Sequence, residues 1–278
     1  MNLFDNYLFY EVMSDPVYGV PAAKIILSIL MGRKIEKLAI NPEKLITPGN
    51  NLNHAVRLDV YAEEVEIEVD GSTSVQMVYD LEVQNDSKLD ELPKRSRYIQ
   101  SLMDKKLLSA GRSYKELPPT WVIFLTKSDF IGEGRMFYTF EDRCVENLKL
   151  PLYDGARKLF INSEGLEGRT EELGNLMDYL VSSQEERARD STTKELHEMV
   201  DEIRLRPEVE DRYMIWAAYE QDLKDEGREQ TLLDQTRKKI SKGKSVEVIA
   251  DELEITVSEA KKLITRIETE EKKSPSVE

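Results

Sequence analysis

Apolar positions recur at helical spacing through VPAAKIILSILM, and Gly32 stands directly after them as a terminator, so a helix is predicted from Pro21 to Met31. Between Arg57 and Gln84, in RLDVYAEEVEIEVDGSTSVQMVYDLEVQ, the period shortens to two, as in a strand–turn–strand. Leu58, Val60 and Ala62 are even-numbered and Val65, Ile67 and Val69 odd, whereas Val75, Met77, Tyr79, Leu81 and Val83 keep one parity. A β-bulge at Glu63-Glu64 in the first strand returns both apolar sets to one side, with Asp70-Gly71-Ser72 as the loop. The predicted pairs are Val69 with Thr73, Ile67 with Val75 and Val65 with Met77 near the turn. Beyond the bulge they are Ala62 with Tyr79, Val60 with Leu81 and Leu58 with Val83. A second helix is predicted after Pro93, on the stripe Ile99, Leu102, Met103, Leu107 and Leu108. Pro118-Pro119 then breaks the chain, WVIFLTK reads as a centrally buried strand, and RMFYTF and KLFIN supply further strands. Residues 1–165 are therefore expected to form an α/β core.

From about Glu167 the pattern turns to long, charge-rich helical sequence. The region 166–240, with MIWAAYEQDLKDEGREQTLLDQTRKKI, suits docking or self-association more than catalysis. In 241–267 two short amphipathic runs follow, Val246-Ile249-Ala250-Leu253 and Val257-Ala260-Leu263-Ile264, and Thr256 and Glu259 have capping-box spacing for the second. This is a helix-turn-helix-like hairpin. A DNA-binding version would lay its second helix in a major groove, while the acids mixed into SEAKKLITRIETEE favour packing or self-association. Residues 268–278 are expected to be a disordered tail.

Composition narrows the classes. A chain of 278 residues that is 40% hydrophobic can bury one good core and a second, smaller unit. The longest apolar run, Val20 to Met31, contains Lys24 and falls short of the roughly 18–20 residues of a membrane helix. The opening MNLFDNYLFYE has neither a basic stretch nor a small-residue cleavage pattern, so no secretory leader is expected. A single cysteine, Cys144, excludes an internal disulfide and a Cys-cluster zinc site, and suggests a buried thiol in a reducing cytoplasm. A net charge of −15 opposes non-specific coating of nucleic acid. Charge is nevertheless segregated: residues 91–115 hold seven basic side chains against two acidic ones, immediately after the hairpin.

The hairpin register also orders the polar face. It sets Arg57 opposite Gln84, Asp59 opposite Glu82 and Tyr61 opposite Asp80. Cross-strand neighbours have Cβ atoms about 4.5–5.5 Å apart, and like charges placed so are destabilising. A divalent cation such as Mg²⁺, bound by hard oxygens, removes that penalty. Asp59 and Glu82 are therefore candidate metal ligands. Gln84 can orient water or a phosphate, although an amide cannot act as a titrating base. The plain alternative is a surface salt-bridge cluster in which Arg57 neutralises the acids.

VRLDVYA, YDLEVQ, LPKRSRYIQSL, ELPPTWVIFL and YTFEDRC together resemble the Rpn-like branch of the PD-(D/E)XK nuclease superfamily, the recombination-promoting nucleases and transposase-like proteins. The likeness runs in order to about residue 165. It implies a restriction-endonuclease-like αβββαβ core, followed by a helical C-terminal region, and Mg²⁺- or Mn²⁺-dependent cleavage of DNA phosphodiesters in recombination, mobile-element or defence processes. The family's D…E-x-Q pattern falls on Asp59, Glu82 and Gln84 as catalytic residues, with Gln where the wider superfamily has Lys. DEGREQ and the following helical hairpin also have counterparts in related chains. The sequence departs at Ser28, where the first helix of the family often carries a Glu near the metal. That departure keeps open a catalytically reduced descendant acting as an oligomeric binding or assembly module. Arg95 and Arg97 in the basic strip are candidates to contact DNA phosphates, with ordinary solvated charge as the alternative. Tyr98 is expected to pack beside the apolar stripe, and His54 to cap or lie at the surface rather than bind metal. A homodimer is the simplest assembly for cutting both strands.

Overall fold

The computed structural model describes residues 1–46, 56–68, 70–84 and 89–273. His54, Val69, residues 274–278 and the side chain of Arg57 lie outside the described part, and with them the expectations placed on each. The chain divides into two compact units, Met1–Glu210 and Asp211–Glu278. Among the described residues no helix is long and apolar enough to cross a membrane.

The first unit opens with α1 (Asn6–Ser14), whose N-cap Asp5 accepts the Tyr7 N–H, and α2 (Gly19–Met31), which ends where Gly32 turns left-handed at φ 61°. Gly19 permits the tight passage between them, since a Cβ there would lie 2.4 Å from the Met13 carbonyl oxygen. Next come β1 (Leu38–Ile46), β2 (Val56–Ile67), β3 (Thr73–Gln84), α3 (Leu92–Leu107) and β4 (Thr120–Thr126). They are followed by β5 (Phe137–Phe140), a small ladder of β6 (Arg143–Cys144) and β7 (Asn147–Pro151), β8 (Ala156–Asn162), α4 (Glu171–Ser182) and α5 (Ser191–Arg204). The main sheet is mixed and six-stranded, ordered β1-β2-β3-β4-β8-β5. β1, β2 and β3 pair antiparallel, β3, β4 and β8 run parallel, and β5 returns antiparallel along β8. The α3 crossover is what permits β3 and β4 to be parallel neighbours.

The two sheet faces have different partners. Tyr61, Val78, Val122, Phe124 and Phe160 pack against Leu92, Ile99, Leu102 and Met103 of α3. On the other face Val60, Ala62, Tyr79 and Leu81 are fully covered, on the side of α1 and α2. The helices after residue 165 are shared out: α4 and α5 pack on α1 and α2 within the first unit.

β1 and α1 were not anticipated, and the hairpin differs from its expected form near the turn. Ala62 faces Tyr79 and Val60 faces Leu81 as expected, but Val65 faces Val75 and Ile67 faces Thr73. The extra residue is therefore Gln76 in β3, not one of Glu63-Glu64 in β2. The loop is shifted by one as well, because the Glu68 N–H donates to the Ser72 carbonyl at 2.8 Å. With β2 alternating unbroken, Val65, Ile67 and Val75 fall on the Tyr61 face, beyond the reach of α3. Ile67 is 55% exposed in consequence. Glu64 takes the inner position instead, paired with Arg33 (2.5 Å) and accepting from the Tyr79 hydroxyl (2.7 Å). Cys144 is partly exposed on β6, its Sγ 3.2 Å from Glu146 Oε2, rather than buried.

The second unit contains all but the first turn of α6 (Pro207–Ile240), with α7 (Val246–Glu252) and α8 (Val257–Lys273). α8 continues through Lys273, so the segment predicted as a disordered tail begins as helix. Leu233, Leu263 and Ile267 form one small cluster, and Ile249, Ala250 and Ala260 another.

Candidate active site

The polar residues at the ends of β2 and β3 meet on the α3 face of the sheet. Beyond Val60 opposite Leu81, two bonds between these strands run from backbone to side chain. The Asp59 N–H donates to Glu82 Oε1 (3.0 Å), and the Val83 N–H donates to Asp59 Oδ2 (3.1 Å). Each carboxylate thus binds the backbone of the other strand, which holds the two acids side by side as the register requires. Glu82 is fully buried and Asp59 partly so.

Arg95, from the first turns of α3, reaches down to this pair. Its Nη1 donates to Gln84 Oε1 (3.0 Å), its Nη2 donates to Glu82 Oε2, and its guanidinium lies 5.8 Å from the centre of the Phe124 ring. Gln84 Nε2 also approaches Glu82 Oε2 at 3.4 Å. The Gln84 amide is therefore oriented from both ends. Phe124 sits opposite Glu82 in the parallel register and stacks on Phe160 at 5.4 Å, giving the site a dry aromatic floor.

A further acid, Asp80, was placed on this face by the sequence reading but given no role. It lies between Tyr61 on β2 and Val122 on β4, fully buried, and neither of its oxygens has a hydrogen bond among the described residues. Burial first, then the charges of Glu82 and Asp59, drive its carboxyl well above the usual range. The same causes, burial and Asp59, push Glu82 up to about 8 despite Arg95.

The structure thus brings Asp59, Glu82, Gln84 and Arg95 together and adds Asp80. Arg97, two positions along α3, is exposed on the other side of that helix, with Lys94 and Lys105 also exposed. Tyr98 packs on the α3 cluster as expected. Ser28 is elsewhere: its hydroxyl accepts the Ile35 N–H (3.1 Å) on α2, on the far side of the sheet, where it lines a cleft of about 770 Å³ with Lys24 and Arg33. Asp59, Asp80 and Glu82 do not line that cleft.

The donor set suits a hard cation, since Asp59, Glu82 and the unsatisfied Asp80 offer only oxygens. As arranged, no three His, Cys, Asp or Glu side chains among the described residues converge closely enough to hold an ion. Asp59 and Glu82 would be the holding pair, with Arg95 yielding or sharing one oxygen of Glu82. Comparisons with protein-family models, curated proteins and solved structures gave no match.

Proposed function

We propose that this chain is a metal-dependent DNA endonuclease with a restriction-endonuclease-like core. The observation that carries this reading is the side-by-side pair Asp59 and Glu82, locked in place by each other's backbone although burial and mutual repulsion push Glu82 up to about 8. Like charges placed so repel, and a divalent cation removes the repulsion. The order α2, β1, β2, β3, α3, β4 follows the αβββαβ pattern implied by the Rpn-like resemblance, which supports the same reading.

Asp59 and Glu82 would hold Mg²⁺ or Mn²⁺ through their oxygens; when bound, such an ion supplies an activated water and a polarised phosphate oxygen. Gln84, aligned by Arg95, orients the attacking water through its amide dipole. Phe124 and Phe160 exclude bulk water below the acids, which strengthens each polar contact above them. Arg97, Lys94 and Lys105 on the exposed side of α3 offer phosphate contacts that position the duplex without reading its sequence. A homodimer would present two such sites to the two strands.

The test is supercoiled plasmid incubated with wild type and Asp59→Ala, with and without Mg²⁺ or Mn²⁺. Nicking or linearisation by wild type alone, and only with metal, is the expected result. A second reading, a catalytically reduced assembly module, is favoured by one feature: Arg95 already neutralises Glu82 from within the chain. That module would show neither cleavage nor any metal-dependent rise in melting temperature, whereas binding to the native state must raise it.

A further inference from the structure

We infer that α7 and α8 form a second, independent duplex-DNA site, with α8 as the helix presented to a major groove. The two helices are joined by the four residues Leu253–Thr256, with Glu254 left-handed at φ 54°. Small residues, Ala250 and Ala260, pack where the helices meet, alongside Ile249. A short turn of this kind is shared by αα-hairpins and by DNA-binding helix-turn-helix units, so the exposed chemistry of α8 decides between them.

The chemistry of α8 selects the partner. Its buried side is Ala260, Leu263 and Ile267. Opposite them, Ser258, Lys261, Lys262, Thr265 and Thr269 are all exposed at i, i+3, i+4, i+7 and i+11. The stripe contains no carboxylate and no apolar side chain. A protein-binding face is enriched in aromatic and apolar residues and depleted in lysine; a helix seated in a groove carries lysines for the flanking phosphates and hydroxyls that can reach base edges. Three nearby acids are engaged inside the unit, while Asp251 and Glu254, at the end of α7 and in the turn, are exposed. Glu252 is clamped by Lys239 (2.5 Å) and Lys244, Glu259 accepts from the Thr256 N–H (2.8 Å) and hydroxyl, and Glu229 pairs with Arg266. Glu247 interacts with the charge of Lys261 and Glu259 with that of Lys262, and Glu268 lies at the margin of the stripe. Just ahead of α7, exposed Lys238 and Lys242 add positive charge where a helix-turn-helix meets the phosphate backbone.

This site does not depend on the nuclease reading, because it binds without cutting. The experiment is fluorescence anisotropy of the full chain with a fluorescein-labelled duplex two helical turns long, in EDTA, across a salt series. Lys261→Ala/Lys262→Ala is expected to weaken binding about tenfold at low salt and to flatten the slope of log K against log salt by about 1.8, the loss of two phosphate contacts. Lys261→Arg/Lys262→Arg is expected to bind as wild type does. Circular dichroism of each variant checks that the helices persist. Wild-type affinity and slope in the double alanine variant would overturn the inference, as would failure of the wild type to bind duplex; either result points α8 to a protein partner. Plasmid cleavage, read separately in Mg²⁺, reports on the site at the ends of β2 and β3.

Discussion

Asp80 is a carboxylic acid with two buried, unsatisfied oxygens between Tyr61 and Val122. An unpaired buried charge costs so much that the group gives up its charge instead. Its folded pKa is raised, so its contribution to stability is complete below the unfolded value of about 3.9 and is lost as pH rises through the folded value. Asp80→Asn keeps the shape and removes the ionisation. The variant is expected to be more stable than wild type at about pH 8, the difference closing towards about pH 4, read from urea midpoints across a pH series. Adding Mg²⁺ should narrow the gap by stabilising the wild-type carboxylates. Equal midpoints throughout would show that Asp80 ionises in the native state as readily as in the unfolded chain, so that its folded pKa is not raised. Asp59, Glu82 and Gln84 were legible in sequence because strand alternation alone puts them on one face. The depth of Asp80 was not, since it depends on α3 closing over the sheet, a long-range contact that no local period encodes. Arg95 was legible as a cation and not as the counter-charge of Glu82, for the same reason.

At the scale of elements, the sequence was read best where burial enforces a period. β4 is covered on both sides and read as a continuous apolar run; α2 carried its stripe and terminator, and α3 its stripe and the Pro93 of its first turn. β1 was missed because it is an edge strand, where Pro42 is tolerated and Asn41, Glu43 and Lys44 break the alternation. The bulge was assigned to the wrong strand because the parity rule assumed that every apolar residue turns inward. At the hairpin tip no helix waits to receive them, and the chain places Glu64 inward on Arg33 instead. The junction of α1 and α2 depends on a single residue. Gly19→Ala would drive a methyl to 2.4 Å from the Met13 carbonyl oxygen, with the Ile40 Cδ1 atom 3.3 Å away. Overpacking against backbone is expected to cost about 1–3 kcal/mol, seen as a lower urea midpoint with an unchanged slope. Gly227→Ala, in α6 with no described atom within 4 Å of the added methyl, is the matched control and should gain up to about 1 kcal/mol of helix propensity.

At the scale of the whole molecule, the charge that argues against non-specific nucleic-acid coating is unevenly spent, and two places escape it: the exposed side of α3 and the outer stripe of α8. They belong to different units, each with its own core. The change of pattern near residue 165 marked where the sheet ends, not where the first unit ends, because α4 and α5 are needed to cover α1 and α2. The smaller unit rests on few apolar contacts, among them Leu233 (1% exposed), Leu263 (9%) and Ile267 (2%). Small cores of this kind are marginal and feel the loss of one side chain. Leu263→Ala is expected to remove about 2–5 kcal/mol from the Asp211–Glu278 unit and nothing from Met1–Glu210. Hydrogen exchange followed by mass spectrometry resolves the two: amides of α7 and α8 should lose protection while those of β3 and β4 keep theirs. The same variant connects stability to function. If α8 presents a DNA-binding face only when α7 and α8 are packed, Leu263→Ala should lose duplex affinity in EDTA while metal-dependent plasmid nicking at Asp59 and Glu82 persists. Loss of protection in β3 and β4 together with α8 would show that the two cores unfold as one.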